Sequence, residues 1–172
     1  MAKINSMVQM INPDVCFQTP DSRRFRLRAA AIIIENNKVL FAHNESETYY
    51  YSVGGGVHLG ETMEEGVLRE VYEETGIHFE IERLAFIQEN FFKRDDGMLK
   101  GLDCHEVTFY YLMKPRGTEE LNSNSTTQGY KEYMSWLPID NLSDYDIYPK
   151  FFIEKLKDLK PYPEHIVTKQ YE

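Results

Sequence analysis

Residues 54 to 77, GGGVHLGETMEEGVLREVYEETGI, hold three consecutive glycines, a helix with marked ends, and three glutamates crowded near its close. Thr62 followed three positions later by Glu65 is a capping box, and Gly76 is the residue type that ends a helix in left-handed geometry. The pattern predicts a helix starting at Thr62 and stopping at Gly76. Each helical residue advances about 100°, so Glu70, Glu73 and Glu74 share an arc of roughly 100°, with Val67, Leu68 and Val71 on the adjoining apolar arc. Like charges at this spacing cost a few tenths of a kcal/mol per pair on an exposed helix and more where water is excluded. Between residues 61 and 82, eight glutamates (61, 64, 65, 70, 73, 74, 80 and 82) stand against one arginine, Arg69. Arg69 can pair with Glu73 one turn on, but one guanidinium does not neutralise the group. A hard divalent cation with a preference for oxygen ligands would.

The rest of the chain predicts strands around that helix. FRLRAAAIII, the turn ENN, and KVLFAH form a β-hairpin signal, and the apolar run from Ala29 to Ile34 suits a strand buried on both faces. YYYSV reads as a short strand feeding the glycines, which themselves read as a turn. FEIERLAFIQENFF, CHEVTFYYLM and YKEYMSWLPI read as three further strands, and KPRGTEELNSNSTTQG as a loop. YPKFFIEKLKDLK reads as a helix with Phe151, Phe152, Leu156 and Leu159 on one side. Strands before and after the first helix imply a layered α/β/α sandwich with a mixed β-sheet. Residues 1–20 read as a tail or edge element, 21–160 as the domain, and 161–172 as a C-terminal tail.

The 172 residues fit one domain. A formal charge of −9 opposes binding of a nucleic-acid polymer, although a metal ion can reverse the sign locally for a small phosphorylated ligand. Two cysteines, Cys16 and Cys104, without CxxC spacing suit a reducing compartment. No apolar run is long enough to span a bilayer, and the first twenty residues do not resemble a signal peptide. A cytoplasmic protein without membrane attachment is expected, with a homodimer left open.

Gly55, five residues, Glu61, seven residues, Arg69-Glu70-Val71, one residue, Glu73-Glu74, one residue, then Gly76-Ile77 matches the Nudix box at every defined position. The chain thus resembles the Nudix hydrolases. The resemblance implies a Mg²⁺- or Mn²⁺-dependent hydrolase that cleaves the pyrophosphate linkage of a nucleoside diphosphate derivative. It implies Glu70, Glu73, Glu74 and the carbonyl of Gly55 (or Gly54) as metal ligands. Glu70 and Glu73 are also implied in catalysis, with Arg69 orienting the glutamates and Glu61 supporting them from the loop. Val53 and His58 depart from residues many members carry, proline and glutamate, which bears on the subfamily. Two other readings of the same fold are a nucleotide sensor without turnover and an isoprenoid diphosphate isomerase using Cys104.

Other signals are weaker. Arg24, Arg26 and Arg28 alternate on one strand face, which could contact the phosphates of a substrate but reads rather as solvated. Cys104 and His105 are strand neighbours and point to opposite faces, which excludes a local dyad. Glu106, Glu119, Glu120 and Glu132 are candidates for a distal general base. Tyr49, Tyr50, Tyr51, Phe91, Phe92, Tyr110, Tyr111 and Trp136 offer stacking surfaces, but most aromatic strand residues are core.

Overall fold

The computed structural model describes residues 14–45, 48–93, 99–123, 126–127 and 130–170. In chain order the strands are β1 (Cys16–Gln18), β2 (Arg23–Ile32), β3 (Ile34–Glu35), β4 (Lys38–Asn44), β5 (Tyr50–Ser52) and β6 (Gly54–Gly56). After helix α1 (Met63–Thr75) come β7 (Ile81–Lys93), β8 (Asp103–Met113), β9 (Thr126–Thr127), β10 (Tyr130–Pro138) and β11 (Ile147–Tyr148). Helix α2 (Phe152–Lys155) and β12 (Glu164–Lys169) complete the order.

Two mixed sheets result. One runs β1-β2-β8-β7-β12 with β6 also paired to β2, and the other runs β11-β5-β4-β10-β9 with β3 on β4. The β2–β8 and β7–β12 pairs are parallel, and β2–β6 is antiparallel. The hairpin expected after Ile34 is present, but β2 leaves its own sheet at Ile33 and only β3 pairs with β4. Asn36 and Asn37 both take positive φ, 49° and 61°, which a two-residue hairpin turn of this hand requires and asparagine tolerates.

Strand alternation divides β2 between two cores. Ala29 and Ala31 face α1 with Val53, Val57, Val67, Val71 and Met113. Ala30 and Ile32 face the opposite layer with Phe41, Phe86, Tyr110, Phe152 and Leu156. Residues 29 to 33 are all essentially inaccessible, as a strand buried on both faces demands. This is the expected layered α/β arrangement.

Besides β9, a two-residue strand inside the segment read as a loop, three segments differ from their sequence reading. The glycines form strand β6 rather than a turn, because without side chains they can lie against Ala29 and Ala30 of β2. The second helix is one turn long and continues as 3₁₀ structure over Leu156–Asp158, although Phe152 and Leu156 are buried as expected. The segment read as a C-terminal tail contains β12, six residues in parallel register with β7. At the other end β1 is an edge strand on β2, while residues 1–13 of the segment read as tail or edge element lie outside the described residues. Among the described residues no helix is long and apolar enough to cross a membrane.

Candidate active site

Helix α1 forms where its signals place it. The Thr62 hydroxyl accepts from the Glu65 N–H at 3.2 Å, the Glu65 carboxylate accepts from the Thr62 N–H at 2.8 Å, and Gly76 closes the helix at φ 70°. The buried face, however, comprises Gly66, Val67, Val71, Glu74 and Thr75, so Leu68 of the expected apolar arc is turned outward. One acid of the presumed polar arc therefore lies in the interior.

Arg69 organises the others. Its Nε and Nη2 donate to both carboxylate oxygens of Glu61 at 2.9 and 3.0 Å, and its Nη1 donates to Glu70 at 2.6 Å and to Glu73 at 3.4 Å. A further bond from Nη2 reaches the Gly56 carbonyl at 2.9 Å. One guanidinium thus ties the helix, the preceding loop and β6 together. Glu61 also accepts from the His58 N–H at 2.9 Å, and the Arg69 hydrogen bonds hold its pKa below the usual carboxylate range.

Gly55 and Gly54 permit this proximity. A Cβ on Gly55 would lie 2.3–2.5 Å from the Glu70 carboxylate, and one on Gly54 would lie 2.4 Å from the Ala29 carbonyl oxygen at a φ of 132°. The Gly54 N–H donates to Glu74 Oε1 at 3.1 Å. The other oxygen, Oε2, is buried without a hydrogen-bond partner. Burial, with the neighbouring Glu132 charge, raises the Glu74 pKa well above the carboxylate norm.

Beside these groups is a cavity of about 250 Å³ lined by Asp14, Arg26, Arg28, Tyr51, Gly54 to Gly56, Glu70, Glu74 and Glu132. Among the distal acids only Glu132 lines it. Glu132 is 4% exposed and accepts from the Tyr51 hydroxyl at 2.6 Å. Glu119 instead pairs with Lys38 and Asn36, Glu120 is exposed, and Glu106 lies opposite Arg26. Glu73 is the most exposed acid on Arg69, at 59%, and stands outside the cavity lining. Arg69 and the Gly54 N–H hold the helix acids apart, and among the described residues no three acidic, histidine or cysteine side chains converge at metal-ligand spacing. The donor set still fits a hard cation, since the cavity walls present carboxylate oxygens and one of them is buried and unsatisfied.

The sequence reading of the β2 arginines needs correction. Arg28 is no solvated residue: it donates to the Ser52 hydroxyl at 2.9 Å and to the carbonyls of Ser52 and Gly54 at 2.6 and 2.8 Å. Its partner groups come from β5 and β6, residues too distant in sequence for strand alternation to anticipate. Asp14 likewise lines the cavity without a local pattern to mark it, and Tyr51, named for stacking, lines it with its hydroxyl donated to Glu132. Tyr110 and Tyr111 are core, and Trp136 packs on the α1 side with its indole N–H donated to the Glu119 carbonyl at 3.0 Å. Cys104 is buried, its thiol pKa raised by burial, and it lies outside the cavity lining. His105 stacks on Phe91 on the other sheet face, as the alternation required.

Mixed sheets with a glycine strand against a capped acidic helix define an α/β fold shared with solved proteins. A mutator MutT protein from Bacillus halodurans superposes with a TM-score of 0.60 at 17% identity, covering 84% of this chain and 91% of that one. A MutT protein from Methanosarcina mazei Go1 superposes with a TM-score of 0.59 at 20% identity, covering 77% and 93%. The NUDIX domain family model matches residues 25–156. A MutT-like protein from Streptomyces ambofaciens is 30% identical over 116 residues, covering 67% of this chain and 65% of that relative's length. The chain belongs to the Nudix hydrolase family.

Proposed function

We propose that this protein hydrolyses the pyrophosphate linkage of a small nucleoside diphosphate derivative with the aid of Mg²⁺ or Mn²⁺. The observation that carries the reading is Glu74 Oε2, a buried carboxylate oxygen without a hydrogen-bond partner, in a cavity whose other walls include Glu70 and Glu132. Such an oxygen is costly to keep unless a cation or proton meets it. When bound, the divalent ion supplies charge neutralisation for the phosphate oxygens and lowers the pKa of the attacking water. Glu70, Glu73, Glu74 and the Gly55 carbonyl are the proposed ligands. Glu73 reaches that set by exchanging its long 3.4 Å contact with Arg69, the weakest of the guanidinium's bonds.

Arg69 and Glu61 act as positioning residues, fixing Glu70 against β6. Glu132 is the proposed acceptor of the water proton, oriented by the Tyr51 hydroxyl. Attack in line at phosphorus then proceeds with mainly electrostatic assistance. Support comes from the complete box spacing, the family membership, and the polarity of the cavity. The test is a panel of nucleoside triphosphates, nucleotide sugars and dinucleoside polyphosphates, with product masses read with and without Mg²⁺. Hydrolysis that depends on metal, and falls at least a hundredfold in Glu73→Gln while the melting temperature holds, is the expected result. A wild-type protein inert on the whole panel, or a Glu73→Gln variant of near-normal turnover, would refute it.

A further inference from the structure

The cavity is bipolar. Carboxylates of Asp14, Glu70, Glu74 and Glu132 approach it from the segment before β1, from α1 and from β10, while β2 contributes the guanidinium groups of Arg26 and Arg28. The two arginines differ in what they have left to give. Arg28 is committed to Ser52 and Gly54 through three hydrogen bonds, so it fastens β5 and β6 to β2. Arg26 has a buried Nε that meets no hydrogen-bond acceptor among the described residues. Its Nη1 lies 3.7 Å from Glu106 Oε2, directly across the parallel β2–β8 register. That distance is an ion pair and not a hydrogen bond. Glu106 in turn accepts from the Thr108 hydroxyl at 3.4 Å.

A guanidinium can serve a carboxylate or a phosphate with two parallel N–H donors, and both gain most when the bonds are short and water is partly excluded. Arg26 meets half of those conditions: its side chain is 28% exposed and that of Glu106 is 17% exposed, yet the pair is not closed. A purely structural cross-strand pair in such a setting would be expected to close to hydrogen-bonding distance. The cavity's volume, about 250 Å³, is below the ~300–1,000 Å³ of pockets that enclose drug-sized ligands, so it suits a phosphate chain with the remainder of the substrate outside.

Resting on the hydrolase reading above, we infer that Arg26 is a substrate-recognition residue that takes a phosphate-chain oxyanion, with Glu106 as the counter-ion it exchanges for that oxyanion. Glu106 therefore competes with the ligand. It is not the base. Removal of the two partners should consequently act in opposite directions on anion binding.

The experiment is calorimetric titration of the full chain with inorganic tripolyphosphate and, separately, pyrophosphate, in the presence of Ca²⁺. Wild type, Arg26→Gln, Arg26→Lys and Glu106→Gln are compared, each after a thermal melt. Tripolyphosphate affinity is expected to fall at least tenfold in Arg26→Gln, to be partly restored in Arg26→Lys, and to rise severalfold in Glu106→Gln. Unchanged affinity in Arg26→Gln overturns the inference, and so does an unchanged or weakened affinity in a folded Glu106→Gln. Should Glu106→Gln not fold, Glu106→Ser is titrated in its place with the same expectation. The outcome separates from that of the hydrolase reading. Turnover with no Arg26-dependent anion binding removes this inference alone, whereas Arg26-dependent binding by a protein inert on every substrate removes the other.

Discussion

Arg69 has a role that exceeds charge balance. Its five bonds to Glu61, Glu70, Glu73 and Gly56 come from a side chain 22% exposed, so they are desolvated enough to matter and open enough to respond to pH. Glu61 reports on that state. Its carboxyl pKa is lowered in the folded protein, chiefly by the Arg69 hydrogen bonds, so folding favours the ionised form. For an acid shifted downward, the stabilisation is present above the unfolded pKa and is lost as pH falls through the folded pKa. Glu61→Gln should therefore lower stability at pH 7 by on the order of 1.5–3 kcal/mol, the range for hydrogen bonds to charged groups. The deficit should close as the pH drops below about 4. Urea midpoints of the two proteins across pH 3 to 7 measure it, and comparison with wild type removes the other acids whose pKa is lowered, among them Glu65, Glu80 and Glu119. A deficit that is equal at pH 3 and pH 7 would show that Glu61 acts by shape alone.

At the scale of the element, β6 is the piece that brings helix α1 and the β2 sheet together at the candidate site, and its glycines are not equivalent. A methyl on Gly54 would strike the backbone, 2.4 Å from the Ala29 oxygen and 2.6 Å from the Ala30 Cα, at a φ that L-residues avoid. Neither group can step aside. A methyl on Gly55 would meet only the end of the Glu70 side chain, which can swing away at the cost of its Arg69 bond. Gly54→Ala should thus lose on the order of 3 kcal/mol or more of stability. Gly55→Ala should keep a near-native melting temperature while its turnover falls at least tenfold, because Glu70 is displaced. Melting curves and hydrolysis rates measured on both variants decide it, and equal effects on stability would contradict the distinction. The same elements explain what sequence patterns reveal. Helix α1, its caps, Arg69 and the box glutamates were readable because every signal lies within twenty-three residues and one periodicity orders them. The contacts of Tyr51 and Arg28 and the place of Asp14 were not, because they depend on β2, β5 and the segment before β1 meeting in space. Glu132 stood as one of four candidates, and only the pairing of β10 with β4 sets it apart. The reading of the glycines as a turn failed for a related reason: absent side chains leave no alternation to read, although that absence is what lets the strand lie close.

On the scale of the whole molecule, β12 decides whether the sheet built on β2, β8 and β7 is covered on its β7 side. Six alternating residues between Pro163 and the end of the strand carry too few apolar positions to signal a strand locally, and a parallel partner gives no turn to betray it. Its contribution is nonetheless distributed through the fold. Ile166 packs on the α2 core, Glu164 pairs with Lys155 at 2.6 Å, and the Thr168 hydroxyl accepts from Gln88 at 3.0 Å. Gln88 is 4% exposed and accepts from the Tyr110 hydroxyl at 3.0 Å, so a polar chain runs from the edge strand into the core. Burial pushes the Tyr110 pKa up to about 12, which keeps that hydroxyl a donor throughout the working range of pH. Deleting residues 161–172 would uncover β7, a strand of 13 residues, as an open edge and leave the buried Gln88 amide without its acceptor. The truncated chain should unfold several kcal/mol more easily, a large part of the ~5–15 kcal/mol typical of a domain, and should associate through the exposed edge. Urea unfolding and size-exclusion profiles of the two chains at matched concentration test both effects. A truncated chain with the wild-type midpoint and a single sharp profile would mean that β7 is complete without β12 and that the polar chain ends at Gln88.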